Sequence, residues 1–190
     1  MWAVAAICTI GVIVVSFDGW RPMGICTDNL CKSLWGVALA SAVAFVSVVV
    51  AVRLGTLRLP HSPYLFVRHY AGYAIWAGLQ QLILQCFFLA RSLRLIPNAT
   101  VAATLSAALF AAAHLPNPVL TIITLVCGLA SCLFFLHYRN LWALAMAHAI
   151  LGIAIAITIP GRVDHNMRVG ISYWTWADHP MISESVWPKP

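Results

Sequence analysis

Residues 66–90 read FVRHYAGYAIWAGLQQLILQCFFLA, twenty-five positions without one Asp or Glu and, after Arg68, without Lys or Arg. A chain crosses a bilayer as a helix of about 20 mostly apolar residues or as barrel strands of about 9–11, because only these satisfy every backbone N–H and C=O internally. The stretch is too long and too continuous for a barrel strand, so it predicts a helix buried in lipid. It exceeds what the hydrocarbon layer needs, which predicts tilt or an interfacial first turn containing Arg68 and His69.

Similar runs occupy 2–17, 34–52, 98–114, 118–136 and 140–159. Turn and helix-end chemistry separates them: Asp18-Gly19-Trp20-Arg21-Pro22, Leu59-Pro60-His61-Ser62-Pro63, Ile96-Pro97-Asn98, Pro116-Asn117-Pro118 and Arg139-Asn140. The first run lacks the basic n-region and small-residue cleavage site of a signal peptide and is read as a retained helix. With 62% apolar and 8% charged residues, against roughly 25% charged in a soluble domain, the chain is expected to be an all-α integral membrane protein with about six transmembrane helices. One transmembrane domain spans 1–160. A polar, aromatic tail follows over 161–190, where Tyr173, Trp174 and Trp176 suit the headgroup layer. The rival reading of that tail is a lid that brings His165 or Arg168 to a site.

The net charge of +6 comes from eleven Lys and Arg scattered singly near helix ends. That pattern excludes nucleic acid as a partner and favours membrane lipids with anionic headgroups. Basic residues divide six to five between alternate loops, which places both termini in the cytoplasm of a bacterial-type inner membrane. Cys26 and Cys31 then share an outer loop where a disulfide can form. The other four cysteines lie in apolar runs, as packing residues.

A polar side chain in hydrocarbon costs a few kcal/mol unless it is partnered. Gln81 and Gln85, one turn apart, share a helix face. Gln80 lies about 100° round the helix from Gln81, on a stripe continued by Trp76, Tyr73 and His69. His114 follows Phe110 by four residues and His148 sits mid-run. These groups, with Asn117 in the following break, form the candidate site; the bland alternative is that they only tie helices together. All five acids, Asp18, Asp28, Asp164, Asp178 and Glu184, fall outside the apolar runs, so a buried carboxylate requires the tail to fold back with Asp164. No G-x-S-x-G, H-E-x-x-H or glycine-rich phosphate loop is present.

In order and surroundings the polar positions resemble the CPBP family of intramembrane proteases, which includes the CAAX prenyl-protein endopeptidases and bacteriocin-processing proteins. Family members show Glu-Glu-x-x-x-Arg, then Phe-x-x-x-His, then His-x-x-x-Asn. Here the first motif reads Gln80-Gln81-Leu82-Ile83-Leu84-Gln85, the second is intact as Phe110-Ala111-Ala112-Ala113-His114, and Gly152 stands four residues after His148 where asparagine is usual. The resemblance implies a CPBP-like bundle and a peptide or lipid-like, prenyl or acyl, substrate. The family's glutamate activates water; an amide has no proton-accepting role of that kind, so His114 and His148 are the candidate acid and base. Gln80, Gln81, Gln85, Tyr73, Trp76, Phe110 and Asn117 are the candidate substrate-binding residues. Two rival readings are a non-catalytic binder or scaffold, and a divalent metal on His114 and His148 helped by His69 or His165.

Overall fold

The computed structural model describes residues 2–60 and 62–178. No strand occurs among them. Six helical stretches match the six apolar runs: α1 (Trp2–Val15), α2 (Leu30–Leu54), a long stretch opening as α3 (Pro63–Leu82) and ending as α4 (Ala90–Leu95), α5 (Ala99–Ala112), α6 (Pro118–Tyr138) and α7 (Leu141–Thr158). The tail adds α8 (Gly161–Asp164), a 3₁₀ turn at His165–Met167 and α9 (Ile171–Asp178). The tail beyond Asp178, with Glu184 and Lys189, lies outside the described residues, as do the side chains of Trp176 and Asp178.

Among the described residues four stretches are long and apolar enough to cross a membrane: Leu30–Leu54, Pro63–Leu95, Pro118–Tyr138 and Leu141–Thr158. Their outward faces carry exposed Val46, Val49, Ile75, Ile122 and Val126, a surface that lipid covers without cost. α5 is shorter, at 14 residues. The sequence pattern carries its helix through His114, but it stops at Ala112 and the chain turns over 113–116, with His114 N–H bonding to Ala111 and Leu115 N–H to Ala112. Pro116, which lacks an N–H, cannot continue the ladder.

The caps explain the starts. Ser62 accepts from Leu65 N–H ahead of Pro63, Asn98 from Thr100 and Val101, Asn117 from Leu120 ahead of Pro118, and Asn140 from Ala143. Each satisfies backbone donors that lipid leaves unpaired. The Ser62-Pro63 cap starts the third stretch earlier than the apolar run suggests. A π-helical segment over Ile83–Leu89 then carries it on to Leu95. At 33 residues it is about 50 Å long, well beyond the hydrocarbon thickness.

α7 packs on α2 and α3, and α5 packs on α6. The α5/α6 contact is close because Gly128 meets Ala107, small residues that let helix backbones approach. Leu84, Leu89, Ala103, Phe110, Cys132, Phe135 and Leu144 form the buried core. On one polar face the 18–29 loop rests on the α6–α7 turn: Leu141 N–H bonds to Gly24 and Trp142 Nε1–H to Ile25. Gly24, at φ 71°, is required there, since a Cβ would lie 2.7 Å from the Arg139 carbonyl. All six cysteines are free, so Cys26 and Cys31 are not joined.

On the other face the tail folds back. Asn117, fully buried, donates to the carbonyls of Asp164 (2.6 Å) and Arg168 (3.1 Å), and Gly170 N–H bonds to Leu115. One side chain thus caps α6 and pins the tail. Asn117→Ala is expected to cost about 2–3 kcal/mol, combining a lost cap with two unpaired buried carbonyls; thermal unfolding in detergent, with limited proteolysis between 161 and 170, measures it.

Candidate active site

The pairing of α5 with α6 on one side and α7 with α2 and α3 on the other leaves a cavity of about 1510 Å³ between them. This exceeds the roughly 300–1,000 Å³ of ordinary small-ligand pockets and leaves room for a long apolar chain. His69, Tyr73, Trp76 and Gln80 all line it, so the stripe predicted from helical spacing faces one space. Gln81, Phe110, His114 and His148 line it too.

Two expected members stand apart. Gln85 does not line the cavity; it is buried behind Gln81 and donates to it from Nε2 at 3.1 Å. Asn117 is spent on the cap and tail contacts described above, and likewise lies outside the cavity lining. His165 stacks on Tyr173, ring centroids 4.1 Å apart, and is not among the cavity-lining residues; Arg168, Asn166 and Asp164 are.

Hydrogen bonds fix the states of both imidazoles. His114 Nδ1 lies 2.9 Å from the Phe110 carbonyl; a carbonyl only accepts, so Nδ1 carries the proton and Nε2 keeps a free lone pair. His148 Nδ1 lies 3.0 Å from Gln81 Nε2, an amide donor, so Nδ1 accepts and Nε2 holds the proton. The chain Gln85 to Gln81 to His148 is thus directional. The rings flank Phe110, at 5.0 Å for His114 and 6.3 Å for His148. One imidazole is set as proton acceptor and its neighbour as hydrogen-bond donor.

The π-helical segment places this relay. It begins just after Gln81 and contains Gln85, and such segments widen a helix locally and recur at functional sites. Gln85 Oε1 is buried without a partner among the described residues, the one loose end of the chain.

Residues 70–154 match the family model for Rce1-like type II CAAX prenyl endopeptidases. The resemblance read from the motifs is borne out. The matched stretch runs from Tyr70 on α3 to Ala154 on α7 and takes in Gln80, Gln81, Gln85, His114 and His148. Comparison with curated proteins and with solved structures returns no match.

A metal fits this site poorly. No group of three or more His, Cys, Asp or Glu side chains converges among the described residues. His114 and His148 supply two imidazole nitrogens where a catalytic zinc takes three protein ligands, and the neighbouring glutamines are weak donors.

Two groups that motif reading passed over, or reached only conditionally, line the cavity beside the tail. Arg58, in the α2–α3 loop, donates to Asn166 Oδ1 (2.9 Å), to the Ala156 carbonyl (3.0 Å) and to the Ile159 carbonyl, closing the C-terminal end of α7. Asp164 is fully buried, accepts from Asn166 N–H at 2.9 Å and has Oδ2 unpartnered among the described residues. Burial raises its carboxyl above the ordinary 3.8, opposed by the Asn166 hydrogen bond and by Arg58. An isolated Arg between two helices, or an Asp in a polar tail, carries no periodic signal.

The folded state therefore holds the Asp164 proton more tightly than the unfolded chain. Stability falls as pH rises from 3.8 toward the raised value, and the full penalty stands above it. Asp164→Asn is expected to raise the melting temperature at pH 7 and flatten that acid-range slope, read by thermal unfolding from pH 3.5 to 7.5.

Proposed function

We propose that the protein is a membrane-embedded hydrolase of the Rce1-like kind, cleaving a peptide that carries an apolar prenyl or acyl chain, with histidine in place of glutamate as the base. The single observation that carries this reading is the tautomer pair: an acceptor Nε2 on His114 beside a donor Nε2–H on His148, facing one large amphipathic cavity. The match over 70–154 supports a protease-type activity.

Water held at Gln80 attacks the scissile carbonyl carbon while His114 Nε2 takes its proton. His148 Nε2–H donates to the oxygen as negative charge develops there. Collapse breaks the C–N bond, and the proton on His114 passes to the leaving amine. Every proton is accounted for without a carboxylate. Trp76, Tyr73 and Phe110 supply apolar wall for the lipid-like chain.

In this reading the tail serves as an interfacial anchor, and the chain sits in a bacterial-type inner membrane with both termini cytoplasmic. A second reading is favoured by one observation: Gln80 and Gln81 stand where the resembled proteases carry glutamates, which suits a binder that has lost chemistry. The two readings differ in turnover. His114→Ala and His148→Ala, each assayed in lipid nanodiscs on a farnesylated peptide ending in Cys-aliphatic-aliphatic-X, are expected to lose about 100-fold or more in kcat. Full activity in both variants would exclude these roles, and a wild type that binds without cleaving would select the binder.

A further inference from the structure

Gly152 is buried on α7, one turn beyond His148. A Cβ built there would overlap the Tyr73 hydroxyl and lie 2.5 Å from Tyr73 Cζ and 2.7 Å from Cε1. The space that a side chain at 152 would fill is therefore taken by a phenol arriving from α3. No backbone need explains the glycine, since it lies inside a regular helix where glycine costs about 1 kcal/mol relative to alanine. Its effect is to admit the ring.

Tyr73 itself lines the cavity and is half-buried. Its Oη has no hydrogen-bond partner among the described residues, although the neighbouring polar groups of the site, Gln81, Gln85, His114 and His148, are tied into the relay or to backbone. A tyrosine hydroxyl in an apolar wall normally finds a partner. Here the ring is fixed by the α7 backbone and the O–H is left for something in the cavity.

We infer that Tyr73 is the second hydrogen-bond donor to the substrate carbonyl oxygen, seated by the absence of a side chain at Gly152. This rests on the hydrolase reading above and deepens it. A single donor, His148 Nε2–H, leaves one lone pair of a developing oxyanion unpaired, and a neutral phenol one turn along the same wall meets it without adding charge. The specificity that follows is for a carbonyl within a helical turn of the attachment point of an apolar chain, not for the chain alone.

Tyr73→Phe keeps the ring and removes the oxygen. With full-length protein in nanodiscs and the farnesylated Cys-aliphatic-aliphatic-X peptide, its kcat is expected to fall about 100-fold with KM changed by less than about two-fold, the signature of a contact made in the transition state. Gly152→Ala is expected to lose a similar factor although Tyr73 is retained, and the double variant to lose no more than either. A merely structural tyrosine would lower the melting temperature and leave kcat per folded molecule unchanged; Tyr73→Phe with wild-type kcat overturns the proposal while the hydrolase reading stands.

Should the wild type bind the peptide without cleaving it, the hydrolase reading falls and affinity decides the donor role. Tyr73→Phe weakening peptide binding about five-fold, with farnesol binding unchanged, supports the donor; equal peptide affinities overturn it. A wild type that neither binds nor cleaves the peptide overturns both.

Discussion

A hydrogen bond in hydrocarbon has no water to fall back on, and the bond from Gln81 to His148 sets the terms for the rest of this molecule. It joins α3 to α7 at 3.0 Å, fixes which imidazole nitrogen holds the proton, and is itself held by Gln85 from the following turn. Leaving any of these groups unpaired costs more than the net gain of an ordinary hydrogen bond, so helix placement and site chemistry are one constraint. The π-helical turn is where the backbone yields to it.

The same economy of partners explains the two polar faces. At one, the 18–29 loop is held to the α6–α7 turn through Gly24 and Ile25. At the other, Arg58 and Asn117 gather the carbonyls at the end of α7 and in the tail. Between them the lipid-facing surface is left to valine, leucine and isoleucine, and the cavity lies between the α5/α6 pair and α7 with its partners.

Much of this was legible in the residues. Apolar runs bounded by Ser-Pro, Asn-Pro and Asn placed six helices, because capping chemistry is local. The stripe of His69, Tyr73, Trp76 and Gln80 faced one cavity because helical spacing is nearly rigid, and the motif order carried the resemblance that the match over 70–154 bears out. What escaped was set by tertiary contact. The halt of α5 at Ala112 put His114 on a turn, where the apolar count showed only a continuing run. Gln85 and Asn117 read as ligand-binding groups from their polarity, yet both lie outside the cavity lining and make internal bonds that no spacing reveals. Arg58 and Asn166 meet only because the tail folds back, a contact between residues about a hundred positions apart. Gly152 read as a gap in a motif, and only the arrival of Tyr73 gives it a purpose.

The uncharged amides of Gln80, Gln81 and Gln85 in this core have an electrical consequence. Moving one elementary charge through the full membrane field changes its energy by about 2.3 kcal/mol per 100 mV. A core of amides and neutral imidazoles offers that field almost nothing to act on. Its tautomers, and the geometry that depends on them, are held alike in an energised membrane and a depolarised one.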